Sequence, residues 1–198
     1  MSDPQLFLSS LQFVQIPSKA LKASDKLLAA IKSTEKRVFP SNEAFDFDTE
    51  LKKRNTSLFC VYRLEQGKNE TPQTEKIKSG KPEKCGKSEK AGQSAKLGPL
   101  EPQLVGYAVY IRTKQMTRIH KVCIVDRYRR LGVGKWMMDQ LLKELRKARA
   151  EAVDLWVDKD RLPARGLYKA MGFEEMEEVV DYYSKGRNGV RMELRLSS

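Results

Sequence analysis

Val125-Asp126-Arg127-Tyr128-Arg129-Arg130-Leu131-Gly132-Val133-Gly134-Lys135 joins a strand-like run, Arg118 to Val125, to a helix-like run, Lys135 to Ala150. In the second run Met138, Leu141, Leu142 and Leu145 recur at the spacing of one helix face. A strand that passes through a glycine-containing loop into a helix aims free backbone N–H groups, and the positive end of the helix dipole, at one point. A pyrophosphate suits that point. Gly132 and Gly134 let the backbone approach phosphates without an intervening Cβ, and Arg129 and Arg130 add charge-assisted donors. The loop is neither a GxxxxGK[ST] loop nor a GxGxxG turn, because Met137 stands where the latter needs its third glycine.

Around this loop the chain reads as alternating helices and strands. Ser18 to Arg37 carries Leu21, Leu27, Leu28 and Ile31 among polar residues and is closed by Val38-Phe39-Pro40, since proline resists helix continuation. A short helix over Asp48 to Arg54 follows. Strands are expected at Ser57 to Tyr62 and Leu104 to Tyr110, both rich in β-branched and aromatic residues. Beyond the second long helix come a strand at Val153 to Val157, a helix at Pro163 to Met171 ended by Gly172, and strands near Glu177 to Tyr183 and Val190 to Leu196. This order gives an α/β fold built on a mixed sheet.

Between the first two strands, residues 65–103 hold eight lysines, six glutamates, five glycines and four prolines with no aromatic residue. Such a segment buries too little apolar surface to offset its ordering entropy, so the expectation is one domain over residues 1–198 interrupted by a Lys-rich disordered insertion at 65–103. The insertion fits either a solvated loop or a docking tether.

The 198 residues carry 38 Lys and Arg against 26 Asp and Glu, a net charge of +12, which points to an anionic partner: a phosphorylated cofactor, RNA or an acidic protein. Cys60, Cys85 and Cys123 form no CxxC pair, and His120 is the sole histidine. No metal site is therefore expected, and neither a Ser/His/Asp triad nor an HExxH site has the residues it needs. The first residues lack a leader pattern and no long apolar run follows, so the expected setting is soluble and cytoplasmic, with the nucleus also compatible and no membrane contact.

Val125-x-x-Tyr128-Arg129-x-x-Gly132-x-Gly134 resembles motif A of the GNAT acetyltransferase superfamily, and Ala164-x-x-Leu167-Tyr168-x-x-x-Gly172-Phe173 resembles its motif B. The resemblance covers about Ser18 to Leu196 apart from the insertion. It implies a mostly antiparallel central sheet splayed between strands 4 and 5, flanked by helices, with acetyl-CoA as cosubstrate wedged in the gap. In such proteins the backbone N–H groups of Val122, Cys123, Ile124 and Val125, and those of Arg130, Leu131, Gly132, Val133, Gly134 and Lys135, would bind the pantetheine and pyrophosphate. Arg129 and Ala164 belong to the same cofactor set. Arg161 stands where an asparagine is usual and would meet a CoA phosphate instead.

Acetyl transfer from a thioester needs a neutral amine, stabilisation of the developing oxyanion and a proton for the departing thiolate. A main-chain N–H of Val122 to Ile124 would serve the oxyanion. Tyr168 holds the motif B position that, by resemblance, donates to the CoA sulfur; a tyrosine packed on a helix face is the alternative. For the base, His120 precedes the cofactor-binding strand segment, and strict alternation puts Arg118, His120 and Val122 on one face. Glu35, near Phe39-Pro40, is a second candidate. An α-amine with a pKa of about 8 is already partly neutral near pH 7.5, so a dedicated base is not obligatory.

Two further segments resemble protein N-terminal acetyltransferases: Phe39-Pro40, lining the pocket for the first substrate residue, and Tyr182-Tyr183, holding the peptide backbone. The implied partner is a peptide N-terminus or a small amine, and contact with a ribosome or auxiliary protein is compatible with the charge. Small-molecule amine or lysine acetylation on the same fold stays open. So does a basic ribosome- or RNA-binding module with a degenerate version of this fold.

Overall fold

A computed structural model describes residues 4–17, 19–66, 99–113 and 116–196. The described residues of 4–63 and 102–196 form one compact unit. The elements run α1 (Pro4–Ser9), β1 (Gln12–Ile16), α2 (Ser24–Val38), α3 (Phe47–Glu50), β2 (Thr56–Gln66), β3 (Leu100–Arg112), β4 (Thr117–Ile124), α4 (Val133–Lys147), β5 (Ala152–Asp158), α5 (Leu162–Ala170), β6 (Glu174–Ser184) and β7 (Arg187–Arg195). Glu65, Gln66 and Leu100 to Gln103, which composition assigned to the insertion, are strand residues. Most of the expected insertion, 67–98, lies outside the described residues.

One seven-stranded sheet has the order β1-β2-β3-β4-β5-β7-β6. β1 with β2, β3 with β4, β5 with β7 and β6 with β7 pair antiparallel, and β4 with β5 pairs parallel. That parallel pair is short: Thr117, Arg118 and Ile119 face Val153, Asp154 and Leu155, and pairing stops there although both strands continue. This is the expected splay between strands 4 and 5. Sequence reading missed α1 and β1, so it arrived at six strands.

The buried residues form two clusters. One is built on α4, whose Val133, Met137, Met138, Leu141, Leu142 and Leu145 recur every three or four residues and pack on Val105, Ala108, Ile119, Val153 and Leu155. Each such side chain contributes up to about 1.5–3 kcal/mol by leaving water. The other is built on α2, whose buried Leu27 and Ile31 meet Leu58, Cys60, Tyr107 and Val109. β3 is covered by both, which is why Leu104 to Tyr110 is almost uniformly apolar and buried. α2 ends at Phe39, extended at φ −109° and ψ 142°, as the residue before Pro40 must be. Among the described residues no helix is long and apolar enough to cross a membrane.

Candidate active site

Where β4 parts from β5, it also carries one residue more than β3. Lys121 faces Val109 but Ile119 faces Tyr110, so His120 is the extra residue of a β-bulge. The bulge breaks the alternation expected of Arg118, His120 and Val122. Val122 packs toward the α4 cluster. His120 lies instead with its ring 5.3 Å from Phe45, and Lys121 reaches the buried Glu35 at 3.3 Å. Partial withdrawal from water, together with the Lys121 ammonium, holds the His120 imidazole below its ordinary pKa. It is therefore neutral, and able to accept a proton, at pH 7.

His120 opens on a pocket lined by Phe39, Glu43, Lys121, Val122, Trp156 and Val157, and by Asp158, Arg161, Ala164, Tyr168, Tyr183 and Arg187. The fold thus brings seven of the sequence-derived candidates to one cavity: Phe39, His120, Val122, Arg161, Ala164, Tyr168 and Tyr183. Tyr168, on α5, is 8% exposed and makes no hydrogen bond through its hydroxyl among the described residues. Burial pushes its pKa up to about 12, so it remains a proton donor across the physiological range. Burial also raises Tyr183.

Glu35 does not join them. It is 2% exposed, accepts the Phe45 N–H at 2.9 Å, and takes the Tyr107 hydroxyl on its other oxygen. With Lys121 beside it, this carboxylate anchors the segment from α2 to α3 and does not face the pocket. Pro40 and Tyr182 also lie outside the lining. Tyr182 stacks flat on Trp156, 4.2 Å apart at 11°, and meets Tyr183 edge-on at 4.9 Å. The stack depends on Gly189, where a Cβ would come within 2.7 Å of the Tyr182 ring.

Sequence reasoning missed a crossbar between the two walls of this pocket. Arg187, at the start of β7, donates to Glu43 at 2.5 Å and to Asp158 at 2.9 Å, across 144 residues of chain in the first case. Burial alone would raise Asp158, but the Asp160 N–H and the Arg187 guanidinium hold it below the usual carboxylate range. Lys121 adds a bond to the Glu43 carbonyl at 2.5 Å and lies 3.9 Å above the centre of the Phe39 ring. No local motif announces contacts between segments so far apart.

The loop of motif A lies at the start of α4. Gly132 is its N-cap at φ 78°, a left-handed conformation that favours glycine, and Arg130 shares that region at φ 64°. The first intrahelical bond runs from the Trp136 N–H to the Gly132 carbonyl, and no side chain caps the helix. The N–H groups of Val133, Gly134 and Lys135 are thus those without an intrahelical partner, a donor set that fits a pyrophosphate. Leu131 is 40% exposed at the loop's crest.

Several cofactor assignments need correction. The Val125 N–H donates to the Val105 carbonyl at 2.9 Å, and ladder alternation turns the Cys123 N–H toward β3 as well. The Cys123 side chain is buried in the α2 cluster. Only the N–H groups of Val122 and Ile124 are left to face the gap. Arg129 donates to the Ile124 carbonyl at 3.1 Å and pairs with Asp126 at 2.8 Å, so its guanidinium braces the loop. Gly134 faces α5, where a Cβ would stand 3.3 Å from Leu167, so its small size serves helix packing. The Lys135 ammonium pairs with Asp139 at 2.9 Å. Arg161 lines the pocket beside Phe39, which none of residues 129–135 reaches.

Known proteins resemble this chain in sequence and in fold. An N-alpha-acetyltransferase of Sulfurisphaera tokodaii is 28% identical over 106 residues, 47% of this chain and 64% of the relative. A [ribosomal protein bS18]-alanine N-acetyltransferase of Haemophilus influenzae is 26% identical over 88 residues, 44% of this chain and 59% of the relative. The chain therefore matches less than two thirds of the length of either. The ribosomal-protein-S18-alanine N-acetyltransferase from Escherichia coli shares the fold, with a TM-score of 0.61 at 16% identity over 95% of each chain. Residues 61–173 match the Acetyltransferase (GNAT) family. That span runs from within β2 past α5 and takes in the splay, the α4 loop and Tyr168, and the chain belongs to the GNAT acetyltransferase family.

Proposed function

We propose that this chain is an acetyl-CoA-dependent N-acetyltransferase whose acceptor is the α-amino group at the N-terminus of a peptide or protein. The observation that carries the reading is the joint presence of His120 and Tyr168 in one pocket at the strand splay, walled by Phe39 and Tyr183. Val133, Gly134 and Lys135 would hold the cofactor's pyrophosphate through their N–H groups, with Arg130 adding charge at the exposed loop. The Val122 or Ile124 N–H would then meet the oxyanion. Bound acetyl-CoA supplies an activated acyl group.

His120 takes a proton from the acceptor ammonium, directly or through water, and frees the nitrogen lone pair. Attack on the thioester carbonyl forms the N–C bond, and collapse of the tetrahedral species breaks the C–S bond. The Tyr168 hydroxyl gives its proton to the departing thiolate, and the second proton that the acceptor nitrogen sheds as it becomes an amide returns, directly or through water, to the Tyr168 oxygen, while His120 releases the first to solvent. Tyr182 and Tyr183 would contact the peptide backbone, and the Phe39-Pro40 turn its first side chain.

Pocket charge favours a peptide over a polyamine. Glu43 and Asp158 are the carboxylates of the lining, and Arg187 engages both. A polycation would find cations there and no unengaged carboxylate. Scoring peptides and polyamines by CoA release tests the reading: turnover with peptide α-amines supports it, and turnover confined to polyamines or lysine side chains overturns it. A basic nucleic-acid-binding module would show salt-steep RNA binding and no heat with acetyl-CoA.

A further inference from the structure

The charged side chains around the acceptor pocket are paired off, except one. Lys121 is held by Glu35, and Arg187 by Glu43 and Asp158. Arg161, just before α5, is exposed, with its guanidinium 5.9 Å from the centre of the Phe39 ring. Among the described residues it pairs with no carboxylate and makes no side-chain hydrogen bond. Asp158, which lines the same pocket, is already engaged by Arg187 through two nitrogens. Arg187 alone serves two carboxylates, and Arg161 balances the set only from a distance, through its field at Asp158. Its guanidinium N–H donors are therefore the ones at the mouth of the cleft with no acceptor of their own among the described residues.

We propose that Arg161 determines acceptor specificity by pairing with a carboxylate of the acceptor, so that the preferred substrates are peptides carrying Asp or Glu within the first three residues. The inference rests on the reading of the acceptor as a peptide α-amine. A guanidinium presents parallel N–H donors that match a carboxylate in a charge-assisted pair. Its place beside Phe39 puts it on the acceptor wall, in a pocket that residues 129–135 do not line. A side-chain carboxylate can reach it without breaking any existing ion pair. A lysine at the same place meets a like charge.

The test uses the full chain, acetyl-CoA, and peptides that carry Glu or Gln at the first, second or third residue. The wild-type protein is expected to favour Glu at one of these positions by about tenfold in kcat/KM, the size of a charge-assisted bond. Added salt should shrink that preference. Arg161→Gln should bring the ratio to about one, and Arg161→Glu should invert it in favour of Lys at the same position. Melting temperature reports whether each variant folds, and the inverted preference of the second is a gain that unfolding cannot mimic. Equal rates with Glu and Gln peptides in the wild type overturn this inference while leaving the peptide reading intact. A raised KM for acetyl-CoA in Arg161→Gln, with the peptide ratio unchanged, assigns the guanidinium to the cofactor and overturns it as well. No CoA release with any peptide, despite bound acetyl-CoA, overturns the peptide reading and this inference with it.

Discussion

Ile119 and Leu155 form the last pair between β4 and β5, and the one residue by which β4 outruns β3 follows Ile119 directly. Splay and bulge thus occur at the same point of β4. The splay frees strand N–H groups that a continued sheet would consume, and the bulge turns His120 toward Phe45 beside them. The proposed base and the proposed oxyanion donor would thus both come from this one stretch of β4.

This arrangement gives His120 a defined pH signature. Its pKa is lowered, so the imidazole loses its proton below the ordinary histidine range, while the α-ammonium of a peptide titrates at about 8. In His120→Ala the rate should follow the neutral amine alone. The loss relative to wild type should be larger at pH 6.5 than at pH 8.5. Profiles of kcat/KM against pH for the two proteins check this, and a loss independent of pH would assign His120 to packing against Phe45.

Gly132 sits at φ 78° beside the uncapped N–H groups of α4. Gly132→Asp places a carboxylate against the phosphate-binding donors, where a second anion is repelled. Acetyl-CoA should raise the melting temperature of the wild type, by linkage, and leave that of the variant unmoved. The increment on adding cofactor separates this effect from any strain of a non-glycine residue in the left-handed region.

Much of this site was legible because it is local. Val125 to Lys135 and Ala164 to Phe173 are each short and local, so the strand-loop-helix spacing of the first points to the cradle and the resemblance of the second to motif B points to Tyr168. What stayed hidden depends on partners far away in sequence. The shift at His120 is visible only against β3, and the burial of Glu35 only once Tyr107 and Lys121 close over it. Gly134 reads as a phosphate glycine until α5 is seen against it. β1 is five residues long and irregularly buried, which leaves no clear alternation to read.

Gly189 offers a test of the acceptor wall that leaves every hydroxyl in place. Gly189→Ala puts a methyl group within 2.7 Å of Tyr182, whose ring must leave its stack on Trp156. The KM for a peptide acceptor should rise several-fold while the KM for acetyl-CoA stays put. Trp156 fluorescence should change with the loss of the stack. An unchanged peptide KM alongside a changed emission would show that Tyr182 does not hold the acceptor.

Tyr168 carries the most exposed part of the mechanism. Its ring packs 5.8 Å from that of Phe173, and its hydroxyl has no partner among the described residues, so Tyr168→Phe keeps the packing and removes only the proton donor. Because its pKa is pushed up to about 12, the group is protonated throughout the range in which the amine becomes neutral. Its contribution should therefore be flat from pH 6 to 9, in contrast to that of His120. General acid catalysis contributes roughly 10²–10⁴-fold, so kcat should fall at least about tenfold. The affinity for acetyl-CoA should change little, since the bond to sulfur strengthens only as negative charge develops there. Single-turnover rates, which isolate chemistry from product release, are the measurement. Near wild-type rates under those conditions would mean that the thiolate takes its proton from water and that Tyr168 serves the core of α5.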